Sequence, residues 1–432
     1  MYMKRFLLSI LFFVGVVFVG VGQSVGDFRS RATGIWNNSN TWEEWTGSSW
    51  VNTANIPVGT ANQIELVAGF SVTISAGTTI NISSSTTLLN NGTLIIETSG
   101  RNNGILRVSG VLTNNQGSIT SGASASKLLF LSGSTYNHNF TTTEGTIPSA
   151  SWASNSTARI IGYTSNGTSP NGLSQAFHHF TWDCTNMTTG FFDLAGALND
   201  VNGDLTISST GTGSLSMSDF SASTINVDGS IIVTGNSEVY FNYQQPVNYN
   251  IGSDLQLSSS LTTYFGDEAD LTLNIGNDLI VNGTGTYDFG GFSGLASTNI
   301  FITRNFTISN GTIQATGSGV KTINFNSGLT SEFSRSGGSV GGAINYVIGN
   351  STTLDLGTSA LQGAGSFQMG AGSVLVTANA NGIQLSPTSS GAIQLSGTRT
   401  YSAGSNIEYN GASTQALGAG FPSSGVNLII NN

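Results

Sequence analysis

Charge is the scarcest property of this chain. Of its 432 residues only 8% are Asp, Glu, Lys or Arg, against about 25% in an ordinary soluble domain. The deficit is deepest on the basic side, where 12 Lys and Arg face 22 Asp and Glu. No Lys/Arg cluster exists to neutralise a run of phosphates. That excludes nucleic acid as a partner, and an anionic membrane surface for the same reason. Cysteine is nearly absent: Cys184 stands alone, so no intrachain disulfide can form. His138, His178 and His179 are the only histidines, and strand geometry predicts that the adjacent pair points to opposite sides. Long helices are disfavoured by the scarcity of Glu, Lys and Arg.

In their place stand 57 Gly, and Ser, Thr and Asn at more than a third of the chain, beside 38% hydrophobic residues. Intrinsic disorder pairs low hydrophobicity with high net charge, and neither extreme is met. The composition predicts a polar, Gly-punctuated, all-β protein.

At the N-terminus, Lys4-Arg5 precedes an apolar run from Phe6 to Val19, and Gly20-Val-Gly22 places small residues before Gln23. This is the pattern of a signal peptide, and the run is shorter than the ~20 apolar residues of a membrane span. The mature chain is expected to be exported without a stable span. Loss of Lys4 and Arg5 leaves ten basic residues facing 22 acidic ones.

Internal repeats carry the fold prediction. Val201-Asn-Gly-Asp-Leu-Thr-Ile207, Val227-Asp-Gly-Ser-Ile-Ile-Val233, Ile251-Gly-Ser-Asp-Leu-Gln-Leu257 and Ile275-Gly-Asn-Asp-Leu-Ile-Val281 share one pattern, continued from Ile302 and Ile348. Their starts are 26, 24, 24, 27 and 46 residues apart, the last being two units of 23. Each has an apolar residue, a short polar turn, then the alternation of a half-buried strand. A unit this small cannot bury its own apolar face, so the units must stack. With no helical segment in the period, the stack is a parallel β-helix, with Gly, Asn and Asp at its corners. About fourteen rungs beyond residue 80, at ~4.8 Å each, give a rod about 70 Å long. Residues 27–79 differ: Trp36, Trp42, Trp45 and Trp50 crowd into fifteen positions, as expected of a cap over the first rung.

The string Gly34-Ile-Trp36…Thr41-Trp42…Trp50…Pro57…Ile64-Glu-Leu…Gly69-Phe-Ser-Val-Thr-Ile74 resembles the opening of large exported β-helix proteins delivered by type IX secretion. It is also similar to a loose G8 domain. Thr146-Ile-Pro148, the segment through Trp152, and Thr181-Trp-Asp-Cys-Thr-Asn186 resemble recurring connectors of the same proteins. The resemblance implies an adhesin-like surface protein with a C-terminal sorting domain, which does not appear in this chain. The predicted plan is a signal peptide over 1–23, a Trp-rich cap over 27–79, a first β-helix module over 80–176 and a second over 177–425. Residues 426–432 match the strand at Phe177–Asn186 and read as the start of a further, truncated module, so the chain is expected to be a fragment.

Catalytic chemistry is not expected. Glycoside hydrolysis needs two carboxylates about 5–9.5 Å apart, and a lyase needs carboxylate-bound Ca²⁺ with a base. The nearest candidates are Asp267, Glu268 and Asp270 in Gly266-Asp-Glu-Ala-Asp270, read alternatively as a charged turn. Asp204, Asp254 and Asp278 recur with the rung and are read as corner residues. Cys184 is read as a small buried strand residue. No cofactor is expected. Trp42, Trp45 and Trp50 are candidates for stacking on glycan rings if exposed. The expectation is a secreted or outer-surface rod for attachment, with extracellular glycans or surface proteins as partners. The alternative is a carbohydrate-binding or divergent polysaccharide lyase-like module.

Overall fold

The computed structural model describes residues 22–58, 61–98, 102–121, 127–218, 222–291, 295–386 and 389–431. The expected signal peptide lies outside them up to residue 21. The described chain is a parallel β-solenoid of about fifteen turns, as the repeats predict, with one 3-10 turn at Ser39–Thr41 and no α-helix.

Each full turn lays down three sides. Gln63–Leu66, Ser71–Ile74 and Thr79–Ile82 form the first turn; Thr87–Asn90, Thr93–Ile96 and Ile105–Val108 form the next. Strict alternation decides what faces inward: Ile64, Leu66, Val72 and Ile74 are buried, while Gln63, Glu65, Ser71 and Thr73 face outward. Gly69, at φ +88°, makes the turn between the first two sides, a backbone state that a Cβ resists. On the first side, Leu88 pairs with Leu112 and Leu112 with Tyr136, one rung apart each time. The same inward column continues through Ala158, Phe180, Leu205, Ile231 and Leu255. All are essentially inaccessible to solvent, and each large apolar member contributes about 1.5–3 kcal/mol by burial.

The cap ends earlier than expected. Phe28–Ser30, Trp42–Trp45 and Trp50–Asn52 form an antiparallel meander, and Phe28–Ser30 pairs in parallel with Gln63–Leu66. Residues 63–82 already form a complete turn, because their inward residues need the next rung above them.

The segment around residue 177 is a waist in one continuous rod. Thr157–Ile160 pairs directly with His179–Asp183, so the first side runs unbroken across it. The second side does lapse there. Its strands stop at Ser118–Thr120 and resume at Phe192–Asp193, and among the described residues of the gap a bridge joins Thr146 to Asn171. Aromatic rings fill the interior at this level: Phe130 stacks on Trp152 at 4.4 Å, and Tyr163 on Trp182 at 5.6 Å. Beyond the waist the second and third sides run as seven- and nine-stranded parallel sheets. Near the C-terminal end the first side divides at Thr330–Arg335. Its early residues pair with Thr353–Asp355 and its later ones with Phe306–Ile308.

Candidate ligand-binding surface

Two of the three candidate glycan-stacking tryptophans keep an exposed edge. Trp45 and Trp50 are half-buried, 5.4 Å apart, with the Arg29 guanidinium 4.5 Å from the Trp50 ring centre. Trp42 is wholly buried: its indole N–H donates to the Trp36 carbonyl at 2.8 Å and its ring packs edge-on against Trp36 at 5.1 Å. It closes the cap and presents no face to a sugar.

The acidic loop does not converge. Asp267 is buried, whereas Glu268 and Asp270 stand in solvent, and an Asp270 oxygen accepts the Ser297 N–H at 2.9 Å. Among the described residues no three His, Cys, Asp or Glu side chains are grouped to hold a metal ion. The charged-turn reading describes this loop, since alternate residues of a tight turn project apart.

The recurring acids are corner residues. Asp204 accepts the Ser230 N–H at 2.9 Å, Asp254 the Asp278 N–H at 3.2 Å, and Asp278 the Asn305 N–H at 3.0 Å. Each side chain thus satisfies the backbone of the next rung, and His179 begins the series by accepting from Asp204 N–H at 2.9 Å. The histidine pair departs from the strand expectation. The strand opens only at His179, so His178 sits in the corner before it and the two rings touch at 4.4 Å on the outer side. Cys184 is buried, its thiol 3.6 Å from the Ile160 carbonyl and pushed up to about 12 by burial. A thiol so protonated is inert as a nucleophile.

A site that no catalytic or metal-ligating residue type marks lies on the third side. Asn226, Asn250 and Asn274 occupy the same outward position of successive rungs. The Asn250 amide donates to Asn226 Oδ1 at 2.9 Å, and the Asn274 amide to Asn250 Oδ1 at 3.0 Å. Two residues further along each strand, Gly252 and Gly276 stand where the neighbouring rungs carry Asp228 and Thr303. A Cβ at Gly252 would lie 2.2 Å from the Asp228 carbonyl oxygen, and one at Gly276 2.3 Å from that of Gly252. The rungs stack too closely there for any side chain. The result is a trough of about 620 Å³ bounded by the amide column, by Asp228 at one end and by Phe301 with Asn326 at the other. Phe301 continues the asparagine column, pairing with Asn274, and its ring is half-exposed. The volume falls within the range of small-molecule sites.

A second surface feature lies on the second side, where Phe191, Tyr240, Tyr243 and Tyr264 cluster. Tyr240 and Tyr264 stack at 4.5 Å, and Phe191 meets Tyr240 and Tyr243 at 5.3 and 5.5 Å. Tyr240 and Tyr264 cover a face of each other, while Phe191 meets Tyr240 edge-on and stays exposed.

Comparison of the chain with family models, with curated proteins and with solved structures finds no match.

Proposed function

We propose that this chain is an exported, non-enzymatic β-helical rod that acts outside the cell as an attachment scaffold, delivered by the type IX route that its opening segment resembles. The observation that carries the reading is the first side: one parallel sheet whose inward column stays filled from Ile64 past the waist to Leu279. A stack in which each rung is held only by its neighbours gives length and stiffness from little sequence information. Its outer positions are dominated by Thr, Ser and Asn, which suit an uncharged, water-facing surface. The recurring acids are engaged with backbone N–H groups, which accounts for them without catalysis.

Protease shaving of intact cells that express the full chain tests the location. Loss of the chain from shaved cells, together with removal of residues 1–23, is the expected result; an uncleaved chain in the cytoplasm would overturn the reading. Incubation with a polysaccharide panel tests the rest. Release of new reducing ends, abolished by Asp267→Asn, would replace the scaffold by an enzyme.

A further inference from the structure

We infer that the third-side trough binds a neutral polysaccharide strand laid along the rod axis, with hydroxyl groups on the Asn226–Asn250–Asn274 column and a sugar ring on Phe301. The inference rests on the extracellular attachment reading and gives that attachment a site and a ligand class.

The argument begins with what the amides leave unused. A carboxamide offers two N–H donors and an oxygen with two lone pairs. The ladder consumes one donor and one lone pair of the central residue, so an N–H and a lone pair remain at Asn250. The column is also open at both ends. Among the described residues, no protein group accepts from the Asn226 amide or donates to the Asn274 oxygen. A contrasting column on the first side is anchored at one end: Asn139 donates to Asn115, Asn115 to Asn91, and Asn91 to the Glu65 carboxylate at 2.7 Å. That column is half-buried, whereas Asn226, Asn250 and Asn274 are exposed. In water, an amide–amide hydrogen bond only replaces bonds to solvent and adds little to stability. Such an aligned, exposed row is a poor stabilising device and a good template for a partner rich in hydroxyls.

The trough supplies the remaining features. Gly252 and Gly276 open a floor two rungs long beside the amides, and Phe301 gives an aromatic surface where the column ends. Aromatic surface against the C–H faces of a pyranose, combined with amide hydrogen bonds to its hydroxyls, is the chemistry of sugar recognition. Charge selects within that class. Asp228 is the only ionisable residue of the lining, and no Lys or Arg lines it. A polyuronate or sulfated chain would meet a carboxylate and no cation, so the ligand is neutral. In the aromatic cluster on the second side, Tyr240 and Tyr264 already stack on each other.

Affinity electrophoresis of the purified chain through gels containing hydroxyethylcellulose, xyloglucan, galactomannan or polygalacturonate tests the inference. Retardation by at least one neutral polymer is expected. Phe301→Ala and the double variant Asn250→Ala/Asn274→Ala should each weaken it about tenfold, while Trp45→Ala/Trp50→Ala leaves it unchanged. Amide hydrogen exchange of the unaltered chain gives a check independent of the variants' folding. The same polymer, as a soluble oligosaccharide, should protect residues 222–228, 247–252, 271–276 and 298–303. No retardation by any neutral polymer, retardation or protection that ignores the trough, or preference for polygalacturonate would overturn the inference. If the chain is found outside the cell and none of the neutral polymers retards it, the trough assignment falls and the scaffold reading stands. Retention in the cytoplasm removes the scaffold reading whatever the gels show.

Discussion

In the early turns Asn90 and Asn114 point into the coil; in the later turns Asn226, Asn250 and Asn274 point out of it. Both columns come from a repeat of 24 residues, and both pair amide to amide at 2.9–3.0 Å. Their surroundings differ. The inner pair feeds a directed chain: Asn90 donates to Asn114, Asn114 to the Tyr136 hydroxyl at 3.4 Å, and Tyr136 to His138 Nδ1 at 3.1 Å. His138 Nε2 lies 2.8 Å from the Glu144 carbonyl. A carbonyl can only accept, so Nε2 carries the proton and Nδ1 is the acceptor for Tyr136. Away from water every link is needed, because an unmade bond leaves a desolvated polar group. The outer column can exchange each bond for one to solvent. One residue type, at one spacing, is thus structural in one half of the rod and available for recognition in the other.

The largest expected consequence is a pH dependence carried chiefly by the inner network. Burial lowers the His138 pKa to about 4, against 6.5 in the unfolded chain, with the Glu144 carbonyl opposing that shift. Between those values the unfolded state binds a proton that the folded state refuses, so stability rises with pH across the window. It is fully present above pH 6.5 and lost as pH falls to 4, by about 3 kcal/mol. Urea unfolding followed by Trp fluorescence should show this loss in the unaltered chain and a much shallower one in His138→Gln, where His179, also held below its ordinary value by burial, still titrates. Equal pH slopes for the two would sever His138 from the network.

Next in size is the deletion of an inner link. Asn114→Ala removes the acceptor of Asn90 and a donor to Tyr136, and should cost about 2 kcal/mol by chemical denaturation at neutral pH. A cost below about 0.5 kcal/mol would mean that water enters the coil at this level, and the contrast between the columns would collapse. The smallest effect is the sharpest control. Asn250→Ala, at the matching place in the outer column, should change stability by no more than about 0.5 kcal/mol while weakening polysaccharide retention. A large loss of stability there would make the outer ladder structural after all.

Much of this architecture is legible in the residues alone. The Val201, Val227, Ile251 and Ile275 segments announce the rung because a 24-residue unit of alternating strand has no way to cover itself except by stacking. Asp204, Asp254 and Asp278 are recognisable as corner residues from recurrence alone, and their hydrogen bonds to the next rung's backbone give the reason. The waist is harder to read. Its Pro-containing segments resemble connectors, yet the first side passes straight through because Phe180 and Trp182 face inward like their neighbours.

The trough is not readable from the residues singly. Gly252 and Gly276 look like ordinary turn glycines, and Phe301 falls three residues off the 24-residue register that relates Asn226, Asn250 and Asn274. Local alternation determined which side chains point outward, since the period of a strand is a property of the backbone alone. Which outward residues become neighbours depends on how many residues each turn spends on its corners. The longer loop before Thr298–Ile302 brings Phe301, and not another asparagine, to the end of the amide column, and only the pairing of complete turns decides that.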